Sequence, residues 1–65
     1  MMDATERIRE AYIILLTDWP RRHTRQGQDV LCHLRGAIAE LTGDDIEEVQ
    51  NAASEEAVKR QLRIA

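Results

Sequence analysis

Residues 28–43, Gln28-Asp29-Val30-Leu31-Cys32-His33-Leu34-Arg35-Gly36-Ala37-Ile38-Ala39-Glu40-Leu41-Thr42-Gly43, decide the fold. Val30, Leu31, Leu34, Ala37, Ile38 and Leu41 recur at the three- and four-residue spacing that lines one side of an α-helix. Gly43 stands where a helix needs a residue free to turn left-handed, so the spacing predicts a helix over about 28–42 that stops there. Thr24 is a candidate N-cap on its upstream side, with Asp29 as the alternative start.

The flanks repeat the pattern. Upstream, Ile8, Ala11, Tyr12, Leu15, Leu16 and Trp19 follow the same periodicity. Asp3 and Glu6 have capping-box spacing, and Pro20 disfavours helical geometry at Trp19, which predicts a first helix from about Thr5 to Asp18. Downstream, a third helix is expected to begin at Asp44 or Asp45, where Asp44 and Glu47 again have capping-box spacing, and Ile46, Val49 and Ala53 share a face. Val58 and Leu62 fall well away from that face at about 100° per residue. Ser54 followed by Glu55 and Glu56 is a helix-start pattern, so a bend or break is expected near Ala53–Ser54. The alternative is one continuous helix whose end lies over a different neighbour. No strand-like alternation, repeat or low-complexity tract interrupts the chain. The expected fold is all-α: a small three-helix bundle over residues 1–65, with a fourth short C-terminal helix if the break occurs. Its core is expected to draw on Ile8, Tyr12, Leu15, Leu16, Leu34, Ile38, Leu41, Ile46 and Val49.

A chain of 65 residues builds a marginal core and needs regular packing, a metal, disulfides or a partner subunit to support it. Its single cysteine, Cys32, excludes an intrachain disulfide and fits a reducing compartment. Tyr12 and Trp19 are the only aromatics, so the core must be largely aliphatic. The longest apolar run, Ala11 to Leu16, falls far short of the roughly 20 residues of a membrane span, and the first residues lack a basic leader. A cytoplasmic protein without membrane contact is expected.

No residue set is laid out for catalysis. Cys32 and His33 are adjacent, so on a helix they do not face each other, and no base and orienting group accompany a nucleophile. Cys32, His33 and His23 do not have zinc-ligand spacing, and Cys32 is expected to be a small buried hydrophobe. No enzyme activity, cofactor, metal or small-molecule substrate is expected. The acidic patch Glu40, Asp44, Asp45, Glu47 and Glu48 lacks the layout of a calcium loop and fits dipole complementation at a helix start, with docking to a basic partner as the alternative. The basic patch Arg21, Arg22 and Arg25 fits a solvated loop, with carboxylate or phosphate contact as the alternative. At a net charge of −3, nucleic acid is not an expected partner.

Surplus apolar surface is more informative. Ile13 projects between Glu6 and Arg9, and Ile14 between Arg7 and Glu10, both off the main stripe of the first helix. Cys32, Gly36 and Ala39 form a small-residue face nearly opposite the Leu34/Leu41 stripe, which would let another backbone approach closely. Ile13, Ile14, Cys32, Gly36 and Ala39 are therefore the expected partner or oligomer interface.

Ser54-Glu55-Glu56-Ala57-Val58-Lys59-Arg60-Gln61-Leu62 resembles the start of the recognition helix in sigma-factor region 4 and related helix-turn-helix proteins. The resemblance covers these nine residues and implies DNA binding through Lys59–Arg63, or through Arg21–Arg25. Those families place a turn, typically with Leu-Gly, before the serine, and Val49 to Ser54 is too short for it. The leading expectation is a non-enzymatic protein-binding module that self-associates as a homodimer. A small inhibitor or regulator of the kind carried by phages and mobile elements is the first alternative, resting on size, acidity and the lack of chemistry. The helix-turn-helix protein is the second.

Overall fold

Local hydrogen bonding sets the helix boundaries. The computed structural model describes residues 2–64. Helix α1 spans Ala4–Thr17, α2 Trp19–Arg22, α3 Arg25–Thr42 and α4 Ile46–Ile64. Asp3 has extended backbone, and its Oδ1 accepts from the Glu6 N–H at 2.8 Å, capping α1. Thr24, not Asp29, caps α3: its Oγ1 accepts from the Gly27 N–H at 3.0 Å. Gly43 closes α3 in the left-handed region, at φ 76°, with its N–H donating to the Ala39 carbonyl at 2.9 Å.

Two departures from expectation concern the elements. Asp18 ends α1 and also starts a new turn, its N–H donating to the Leu15 carbonyl at 3.1 Å while its Oδ1 accepts from the Arg21 N–H at 3.3 Å. Trp19 is therefore helical. Pro20 sits in the first turn of α2, where its missing N–H breaks no helical bond. The short helix thus lies at 19–22 and not at the C-terminus. The second correction is α4, which runs unbroken through Ala53–Ser54. Ser54 is an interior helical residue, so the separate recognition helix and preceding turn implied by the helix-turn-helix resemblance are absent from the described residues.

The architecture is an all-α bundle. α1 packs against both α3 and α4, which meet one another less extensively. The core consists of Tyr12, Ile13, Leu31, Ile38, Val49, Ala53 and Ala57, with Ile8, Leu15, Leu16, Leu34 and Ala39 packed partly buried against it. Tyr12 and Ile38 are the largest fully enclosed side chains. Two expected core residues are exposed: Leu41 and Ile46, in the terminal turns beside the 43–45 connection. Ile13 moves the other way, from expected interface to core at 5% exposure. The alanines of α4 supply the reason, since Ala52 and Ala53 lie beside Ile13 and leave room for it.

The buried strip of α4 is Val49, Ala53, Ala57, with Arg60 continuing it. Arg60 reaches α1, where its NH1 and NH2 donate to Glu10 Oε1 and Oε2 at 2.6 and 2.7 Å, and its Nε donates to Glu56 at 3.3 Å. A planar guanidinium suits this two-pronged contact with a carboxylate.

Candidate functional site

The basic stretch is largely occupied within the fold. Arg21 pairs with Asp18 at 2.9 Å. Arg22 donates from NH1 to the Leu16 carbonyl at 3.0 Å, and its guanidinium carbon stands 4.3 Å from the centre of the Trp19 ring. The Gln28 side-chain amide donates to the Arg22 carbonyl, tying α2 to α3. The Nε of Arg22 is enclosed without a hydrogen-bond partner. His23 packs against Trp19 with ring centres 5.1 Å apart. Arg25 alone of the expected basic patch is exposed without an ion pair among the described residues.

Glu40, Asp44, Asp45, Glu47 and Glu48 are all exposed around the α3–α4 connection. They form no ion pair among the described residues. Glu47 and Glu48 lie in the first turn of α4, the position favoured by the helix dipole. The expected capping of α4 by Asp44 is not formed; the Asp44 N–H instead donates to Thr42 Oγ1 at 3.2 Å.

The five expected interface residues do not come together. Ile13 is in the core. Ile14, 56% exposed, lies about 160° around α1 from fully buried Tyr12. On α3, Cys32 is exposed, which corrects the expectation of a buried thiol. A Cβ at Gly36 would meet no atom within 4 Å, and Ala39 is partly buried against the core. Cys32 and Ile14 therefore belong to different sides of the bundle.

Cys32 instead lines a groove of about 370 Å³ between α3 and α4. Tyr12, Leu16 and Trp19 contribute its apolar part, Ser54 and Val58 its α4 edge, and Arg22 and Arg35 its charge. No carboxylate among the described residues lines it, in a chain of net charge −3. Arg35 NH1 donates across the groove to Gln50 Oε1 at 3.2 Å. A second cleft, of about 310 Å³, lies between α1 and the start of α4, with Arg9, Asp44, Glu48 and Glu56 around Ile13 and Ala52.

Beyond the groove edge, the outer face of α4 carries Val58 and Leu62, 54% and 72% exposed. Asn51, Ser54, Glu55, Val58 and Lys59 line a shallow, predominantly apolar hollow on this face. The sequence signal for it was present: Val58 lies about 180° around the helix from buried Val49. Uninterrupted helix turns that displacement into an exposed second stripe.

No group of three or more His, Cys, Asp or Glu side chains converges as a metal site among the described residues. No helix among them is long and apolar enough to cross a membrane. Comparison of the chain with protein-family models, with curated proteins and with solved structures finds no match in any of the three.

Proposed function

We propose that this chain is a non-enzymatic protein-binding module that associates with a second copy of itself. Unused surface carries this reading. The chain exposes 4927 Å², whereas a folded monomer of its 7.5 kDa mass exposes about 4,250 Å². The excess is about 700 Å², spread over the whole surface. Large apolar side chains supply part of it, among them Ile14, Trp19, Leu41, Val58 and Leu62. Exposed large apolar side chains in this number on a small domain support a protein partner. A homodimer is the simplest occupant, because one patch used twice satisfies both copies.

Sedimentation equilibrium from micromolar to millimolar concentration tests the proposal. The expected result is a reversible monomer–dimer equilibrium within that range. A well-folded monomer throughout would overturn self-association and leave the same surface to a different protein, the arrangement a small inhibitor would use.

A further inference from the structure

The outer face of α4 carries exposed Val58 and Leu62. Along it, Asn51, Ser54, Val58 and Leu62 recur at spacings of three and four, the pattern of a helix–helix seam. Val58 and Leu62 are the large apolar members, and Ser54 is small enough to admit a facing side chain. Charge is weighted along the helix: Glu47 and Glu48 stand in its first turn and Glu55 and Glu56 at its middle, whereas Lys59, Arg60 and Arg63 stand in its last turns, with Arg63 3.9 Å from Glu56. Arg60 is committed to Glu10 and Glu56. Glu55 and Lys59 flank the seam on one side, are both exposed, and enter no ion pair among the described residues.

Antiparallel pairing brings the acidic end of one such helix to the basic end of the other. We infer that α4 is the dimer interface: it pairs antiparallel with α4 of a second copy about a twofold axis beside Ser54–Val58. Ser54 then faces the partner's Val58, Asn51 faces the partner's Leu62, and Glu55 lies beside the partner's Lys59. Each contact occurs twice by symmetry. The axis also brings the second copy over the mouth of the α3–α4 groove, because Ser54 and Val58 line both the groove and the shallow hollow. This rests on the self-association proposed above and assigns it a surface; the small-residue face of α3 has no part in the seam.

Sedimentation equilibrium of the full chain and four variants tests the assignment. Val58→Asp places a charge in the seam without touching the core, and is expected to leave a monomer at every concentration. Glu55→Lys and Lys59→Glu each set like charges together twice, and each is expected to weaken dimerisation about tenfold at low salt. The double variant Glu55→Lys/Lys59→Glu restores opposite charges, and its dissociation constant is expected to return to within about threefold of the wild type. The charge series decides the matter even if Val58→Asp fails to fold. A wild-type dimer indifferent to the charge series would overturn the α4 interface while leaving self-association intact. A wild-type monomer would overturn both.

Discussion

Arg60 and Glu10 stand fifty positions apart in sequence and meet in a two-pronged ion pair between α4 and α1. Hydrogen bonding from Arg60 holds the Glu10 carboxyl below its ordinary value; desolvation opposes this, and the nearby positive charge adds to it. A folded-state value below the unfolded one contributes stability above the ordinary glutamate range. That contribution is lost as pH falls through the lowered value. Glu10→Gln should therefore reduce the melting temperature at neutral pH, and the gap from wild type should close in acid, as thermal melts across pH would record. Both side chains are about a third exposed, so added salt should narrow the gap as well. Two glycines give a sharper contrast. A Cβ at Gly27 would run into the Arg21 carbonyl, a backbone atom that cannot step aside. Gly27→Ala should cost about 1–3 kcal/mol in urea unfolding. Gly36 is interior to α3 with open space where its Cβ would be, so Gly36→Ala should stabilise by about 0.5–1 kcal/mol. Gly36→Ala should also leave dimerisation unchanged, since Gly36 lies outside the α4 seam.

At the scale of the element, α4 settles what its sequence left open between one helix and two. Its inward strip, Val49, Ala53 and Ala57 followed by Arg60, contains a single large apolar residue. Beyond Ala53 the strip has no large hydrophobic residue, and Val58 and Leu62 lie on the other side. Ser54 accordingly looked like the cap of a new helix. In the structure it is mid-helix, and Ser54→Ala should be neutral or stabilising by up to about 0.5 kcal/mol. A loss of about 1 kcal/mol in chemical denaturation would be the signature of a lost N-cap and would contradict a continuous α4. The helix ends at Asp3, Thr24 and Gly43 are legible because they are local. Asp3, Thr24 and Gly43 act on backbone groups within four residues of themselves.

At the scale of the whole molecule, three longer helices and one turn enclose a core whose fully buried large side chains are Tyr12 and Ile38. A domain of this size has a stability on the order of 3–10 kcal/mol. Association of the native chain alone would add to it by mass action. The melting temperature of the wild type should therefore rise with protein concentration, and that of Val58→Asp should not, a calorimetric counterpart to the sedimentation series. The expected interface was only partly legible. The sequence shows surplus apolar surface, but of its two off-stripe isoleucines Ile13 fills the core, and the most exposed of the large apolar side chains, Leu62, lies on α4. Periodicity places residues on a helix face, yet which faces become covered depends on how far each neighbour reaches.

The sequence by itself determined the helical class, α1 and α3 to within a few residues, and Asp3 and Gly43 as two of their caps. All of these follow from spacing along one chain segment and from hydrogen bonds between near neighbours. Tertiary structure alone decided the rest. It chose Ile13 over Ile14 for burial, exposed Cys32, Leu41 and Ile46, and joined Arg60 to Glu10. It also left Val58 and Leu62 facing outward. The physical reason is that burial belongs to a pair of surfaces. Alanines and an arginine on α4 proved the better fit to α1, and no count of hydrophobic residues along the chain records that fit.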